Sequence, residues 1–558
     1  MLRSPLAAAM AASLILLAGP ALGADSPRNY ALTHTTAIVE PGTRVEDATI
    51  VLRDGLIVSV EAGGVVPADA VEVDATDRFV YAGLIDAGGE APGGDDSAGG
   101  ERRPGAGGFN FGSTPETKPG AVHLLPLVHP ETRAADALRA FSGDRKRAME
   151  KLRELGFTVV LAAPSDGIFR GTSAAILLAA DESVAGILLA ADVAQHASFQ
   201  RGRFGSGYPT SLMGAIATLR QTLLDAQRYA EWNARYEADP RGMPRPQRHD
   251  AYEALRPVLD RKQRLIFHTS HPQDTLMADR LGREFELDIV VSTSSYEAEH
   301  AASLAAAARP LIVSTGFPEK PELDDDKQLS VSRETMRRYL DAAAGPARLH
   351  EAGVEFALTT SGLESNSTFH KQMHKIVEAG LPQDVALAAL TTVPAKLLGI
   401  DRIVGTLEPG KIANLVVTDG PLFAEETKIR EIFVDGARHE IEVKEKPTGD
   451  PDAVVDPRGT WAVAIKMGSR TMEREWTIEG SKGAYTGTAE TGGGTVSFDS
   501  IELAGNVMTV VYPSRQGRPS MEVTVIVEGD SFKGSAEMGP RTVEMTGTRT
   551  SGPEGGAR

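Results

Sequence analysis

The stretch Tyr81–Glu90, YAGLIDAGGE, decides how this chain is read. Tyr81 to Ile85 is an apolar run of the length of one buried strand. It stops at Asp86, and two glycines, Gly88 and Gly89, lead to the carboxylate of Glu90. A strand that opens into glycine and acid raises two questions: which sheet it joins, and what its polar end does.

The flanking sequence answers the first. Upstream, DATIVLRDGLIVSVEAG (47–63) holds two apolar-rich runs joined by Asp54-Gly55, a strong hairpin signal. AVEVDATDRFVYAG (70–83) continues in strand-like alternation. From about Ala121 to Gly399 the period changes. FTVVLAA follows the helix-like DRKRAMEKLRELG, RLIFHTS precedes PQDTLMADRLGREF, and LDIVVSTSS precedes EAEHAASLAAAA. PLIVSTG and VEFALTT keep the rule. Repeated strand–helix alternation predicts parallel strands with helical crossovers, and the number of units favours a closed barrel. Strand character returns in KIANLVVTDG and in REIFVDGARHEI, with a second Asp-Gly hairpin at Asp435-Gly436. A Pro- and charge-rich linker follows, and Thr460 to Thr550 alternates as a separate antiparallel β domain.

The predicted fold class is α/β: a TIM-like (β/α)8 barrel, a composite β-sandwich built from segments before and after it, and an all-β C-terminal domain. The expected boundaries are a signal peptide at 1–23, the first sandwich part at 24–80, the barrel at 81–404 and the second sandwich part at 405–445. The linker is 446–458, the C-terminal domain 459–551 and a tail 552–558. Between Ala91 and Gly120, 13 of 30 residues are Gly or Pro, against roughly 12% in ordinary chains. This segment follows the first barrel strand, where loops form the active face; it reads either as a lid or as a disordered insertion.

Composition narrows the setting. The 558 residues are 41% hydrophobic and 24% charged, with 76 acidic against 58 basic side chains and no cysteine. The acidic surplus argues against nucleic acid or an anionic membrane as the main partner. Without cysteine there is no disulfide and no thiolate ligand. Arg3, the apolar Leu6–Leu17 and the small residues Ala21 and Gly23 follow the pattern of a secretory signal. A periplasmic or secreted location is expected, with no integral membrane segment after cleavage.

Four stretches carry a family resemblance: DATIVLRDGLIVSV, FVYAGLIDA, LPQDVALAALTTVPAKLLGI (381–400) and GTLEPGKIANLVVTDGPL (405–422). Over roughly Ala31 to Ile441 the chain resembles the amidohydrolase superfamily, especially its imidazolonepropionase-like and secreted members. The resemblance implies one or two divalent metals at the barrel mouth, which lower the pKa of a bound water for attack on an amide, cyclic amide or ester carbon. It implies ligands in a His-x-His pair after strand one, a His after strand five, a His after strand six and an Asp after strand eight. It also implies that the chain could form dimers or larger assemblies.

Carried over position by position, the pair after strand one falls on Gly88 and Glu90. His268 stands at the strand-five position, with His271 close behind. Strand six offers Ser292 or Thr293. Ser361 stands where the Asp is expected, with Glu364 nearby. Glu90, His268 and Ser361 are the catalytic candidates, and Glu90 and His268 the candidate ligands of one divalent ion, zinc. Arg170, in SDGIFRGTSA, and Glu364 are candidate substrate contacts. His370 and His374 share a helix face at a spacing that can bind zinc, although a solvated face is the plainer reading. The acidic run Asp324–Gln328 reads as a solvated loop. Two functions follow: hydrolysis of C–N bonds in a small-molecule or peptide-like substrate with an altered metal site, or a non-catalytic descendant that binds such a ligand.

Overall fold

The computed structural model describes residues 29–88, 122–138, 143–179, 184–202, 208–318, 321, 331–363, 366–441, 449–451, 453–467, 470–481, 483–491, 494–513, 521–538 and 541–552. The expected signal peptide, the Gly-rich segment, Asp324–Gln328, Glu90 and Glu364 lie outside them.

Eight staves form the barrel. Stave one is Leu84–Asp86 and stave two Phe157–Ala162; stave three is split into Phe169–Thr172 and Ala174–Leu177; stave four is Ala194–Ser198. Staves five to eight are Arg264–His268, Ile289–Thr293, Leu311–Ser314 and Phe356–Thr359. Staves one and two pair in parallel, as do four through eight in succession. Stave three departs from the predicted (β/α)8 pattern. It runs antiparallel to both neighbours, its second half against stave two and its first half against stave four. The cause is connection length. Ala163–Ile168 is too short for a helical crossover, so the chain turns back at the mouth. The start of stave three, not its end, therefore faces the same opening as His268.

Among the described residues no ladder joins stave eight to stave one. Hydrogen bonds from Thr359 and Thr360 to Asp86 span that seam instead. Below, Ile85 N–H donates to the Leu390 carbonyl and Leu358 N–H to that of Ala389, so the closing helices found in LPQDVALAALTTVPAKLLGI bind both staves.

Strands from before and after the barrel share one eight-stranded sheet. Leu415–Thr418 pairs antiparallel with Phe79–Ala82, with Val416 opposite Tyr81. Leu32, Ile50, Val80, Leu415 and Phe433 fill its own core. Gly83 carries the chain from this sheet into stave one, where a Cβ would strike the Thr158 side chain.

The C-terminal domain is a closed antiparallel barrel of eight strands, completed by pairing of Arg470–Ser481 with Ala484–Thr491. Trp461, Trp476 and Phe532 are fully buried within it. Trp476 Nε1 donates to Tyr512 Oη at 2.7 Å, and burial pushes the Tyr512 phenol up to about 12 despite that bond. Tyr512→Phe leaves the buried indole N–H without its acceptor. It is expected to lower this domain's stability by about 1–2 kcal/mol, read from tryptophan fluorescence in chemical unfolding. An unchanged midpoint would show that the bond contributes nothing net.

Candidate active site

The mouth of the barrel collects polar side chains by register. Ser198 lies level with His268, and His268 with Ser292; further round, Ser314 lies level with Thr359. On stave four His196 stands opposite Ile266, two residues below His268 on stave five. Side chains two apart on a strand share a face, so His196 and His268 meet diagonally inside the barrel. His196 Nδ1 and His268 Nε2 are 2.8 Å apart and the rings lie 24° from parallel.

Arg170 joins them because stave three is reversed. It lies at that stave's mouth end, where Gly171 (φ +114°) lets residues 132–133 press against the strand; a Cβ there would strike the Thr132 carbonyl. The resulting small recess is lined by Gly88, Ser165, Arg170, His196 and His268 with apolar neighbours. Burial, reinforced by the Arg170 charge, lowers His196 to about 3. His268 is held well below the usual imidazole range by burial, Arg170 and His196. Both imidazoles are neutral at physiological pH. Among the described residues, the buried His196 Nε2 has no hydrogen-bond partner.

The sequence reading names His268 and Arg170, which line this recess, and does not name His196. AQHAS lacks the apolar run used to locate strands, although its place between predicted staves was a usable signal. Of the other candidates, Ser361 is held by its backbone: its N–H donates to Thr359 Oγ1 at 3.1 Å and its carbonyl accepts from Ser314. It does not line the His recess, and the described structure gives it no base. His271 stands just before the helix Pro272–Glu284 and also lies outside the recess lining. The His370/His374 helix does not serve the mouth. Its first residue, Phe369, packs 5.0 Å from Phe157, at the opposite end of stave two. His374 bonds to the Phe423 carbonyl, and burial lowers His370 to about 4.

The ligand positions implied by the resemblance can be tested against the packing. A Cβ on Gly88 would lie 2.9 Å from both Ile312 Cγ2 and Thr359 Oγ1, so there is no room even for a methyl group. Thr293 Oγ1 donates to the carbonyls of Ser294 and Ile312. Among the described residues, no three His, Asp or Glu side chains converge to hold a metal ion. With one imidazole in place, glycine walled in and hydroxyls at the other described positions, these residues do not fit a binuclear centre. Gly88→Ala is expected to overpack the seam and cost about 1–3 kcal/mol, measured by thermal denaturation. Unaltered melting would mean that Ile312 and Thr359 yield freely.

Comparison with known proteins supports the frame read from the sequence. A family model described as Amidohydrolase family matches residues 273–450. Adenine deaminase 2 of Jannaschia sp. (strain CCS1) is 26% identical over 217 residues, covering 36% of this chain and 33% of that protein. The chain thus spans about a third of the curated relative it matches. A solved amidohydrolase from Thermotoga maritima MSB8 superposes with a TM-score of 0.57 at 20% identity, covering 73% of this chain and 99% of that one. That likeness is one of fold.

Proposed function

From an amidohydrolase resemblance shown by both the family match and the fold, we propose that this chain hydrolyses C–N bonds of a small-molecule or peptide-like substrate at the barrel mouth, with His196 and His268 handling protons in place of a binuclear metal centre. The observation that carries this reading is the 2.8 Å contact between two buried imidazoles, one of which keeps a nitrogen without a partner among the described residues. The name of the deaminase relative adds support for C–N chemistry.

The environment defines what such a pair can do. Beside Arg170, in a buried position, an imidazolium is disfavoured. A proton taken by one ring is shared across the 2.8 Å contact and passed on as the bond breaks, so the charged pair does not persist. Water enters as nucleophile, gives its proton to the pair, and the leaving nitrogen recovers it. The Arg170 guanidinium is placed to stabilise negative charge that develops on the substrate.

The test is turnover by the full-length chain across amides, lactams and amidines, with His268→Ala as control. No hydrolysis of any class, or equal rates in the variant, would overturn the reading. The walled Gly88 favours one alternative, a binding-only descendant, which would show ligand-induced stabilisation without turnover. Export to the periplasm is part of the proposal and rests on the N-terminal pattern alone. Among the described residues no helix is long and apolar enough to cross a membrane.

A further inference from the structure

The C-terminal barrel holds an inward-turned arginine at each end, and the two are treated differently. At the end where Gly459–Met467 begins and Arg470–Ser481 finishes, Arg549 is fully engaged. It lies 3.0 Å from the Asp530 carboxylate, donates to the carbonyls of Asp456, Arg458 and Gly529, and sits 4.5 Å over the Trp461 ring. That end is plugged by the protein's own groups.

Arg474 stands towards the other end. Along Arg470–Ser481 the side chains alternate between faces. Trp476 and Ile478 are buried in the barrel core, while Glu473 and Glu475 are exposed outside. Met472 and Arg474 therefore belong to the inner face, and the register agrees: they lie opposite Ile465 and Val463, both in the same core. Arg474 is half-buried. Its hydrogen bonds go to the Glu473 carbonyl at 3.0 Å and the Met472 sulfur at 3.6 Å, and no carboxylate among the described residues pairs with it. An inward guanidinium gives up hydration and here gains no counter-ion, so a stabilising role does not account for it.

Tyr512 supplies a second donor. Its Oη accepts from Trp476 Nε1 at 2.7 Å, which leaves the phenol's own proton to donate. Burial keeps that proton in place, and the Arg474 charge acts on the same phenol. Phe498 packs 5.0 Å from Tyr512, and Met521 lies opposite Tyr512 in the ladder. Met472, Phe498, Tyr512 and Met521 are only partly buried against the core. We propose that this end of the barrel binds an organic carboxylate with an apolar chain, the carboxylate on the Arg474 guanidinium and the Tyr512 hydroxyl and the chain across Met472, Phe498 and Met521. A guanidinium matches the two oxygens of a carboxylate in a fork geometry. One cation suits a monoanion, and the exposed Glu473 and Glu475 disfavour a higher charge. The ligand caps the barrel and does not enter it, because Trp461, Trp476 and Phe532 fill the interior and a Cβ on Gly547 would already strike the Phe532 ring.

The experiment titrates decanoate, below its micelle concentration, into the full-length chain by calorimetry, with decanol and acetate as comparisons. Saturable binding of decanoate is expected, with decanol and acetate each weaker by about 10-fold or more, since a hydrogen bond to a charged group contributes roughly that factor. Arg474→Gln is expected to weaken decanoate by about the same factor. The inference is overturned if decanoate does not saturate, if decanol or acetate binds as tightly, or if Arg474→Gln binds decanoate like the unmodified chain, which would place the ligand elsewhere, the barrel mouth included. Sedimentation with phosphatidylglycerol vesicles without uptake of decanoate would also overturn it, in favour of a membrane surface. Should Arg474→Gln fail to fold, the comparison of decanoate with decanol on the unmodified chain still decides. None of these readouts depends on whether the histidine pair turns over a substrate.

Discussion

His268→Ala is expected to lower kcat/KM at least about 100-fold on whichever C–N substrate the chain hydrolyses, since a positioned proton-transfer group contributes roughly 10²- to 10⁴-fold. The loss should fall on kcat, because the relay acts as the bond breaks. Alanine removes the ring 2.8 Å from His196 Nδ1 and leaves that nitrogen without its partner. The pH profile separates this role from a structural one. With His196 lowered to about 3 and His268 well below its usual range, the unmodified chain should lose no activity to imidazole protonation between pH 8 and 6. A catalytic histidine of ordinary pKa would instead cut the rate through pH 6.5. Retained kcat/KM in His268→Ala, or an acid limb centred near 6.5, would remove the pair from the mechanism.

Glu297→Gln should stabilise the barrel above neutral pH by roughly 3 kcal/mol and leave it nearly unchanged near pH 4.5. Glu297 is fully buried in the turn after stave six. Burial raises it to about 7, against weaker opposing hydrogen bonds that include Ser294 Oγ at 3.3 Å to both carboxylate oxygens. The sign follows from linkage. Between the ordinary carboxylate value of 4.5 and about 7 the folded chain holds a proton that the unfolded chain has released. The stability contribution is therefore present below 4.5 and lost as pH rises through 7. Glutamine has no proton to lose, so the variant escapes the decline. The buried neutral histidines His196, His370 and His439 act in the opposite sense, with stability lost as pH falls below their unfolded value near 6.5. They are common to both proteins and cancel in the difference. Parallel denaturation curves at pH 5 and pH 8 measure it; an equal gap at both would show that Glu297 is ionised throughout.

Much of the frame was legible because burial imposes local patterns. The two Asp-Gly hairpins, the strand–helix alternation and the alternating C-terminal strands each follow from which face meets a core. His268 was legible too, since it ends an apolar run. His196 was not: its strand is short and Ala-rich, and its importance depends on a neighbour 72 residues away. The reversed stave could have been read from the short Ala163–Ile168 link, but its consequence, that Arg170 reaches the mouth, needed the pairing itself.

YAGLIDAGGE shows the same division. Its sequence alone determined an apolar run that ends in an acid and has no histidine at residues 88 and 90. Those are properties of residue type, and no folding changes them. Only the tertiary structure decided what the polar end does. Whether Asp86 meets water, a metal or hydroxyls depends on what stave eight brings to it from 273 residues along the chain. It brings two threonines, and the same packing walls in Gly88.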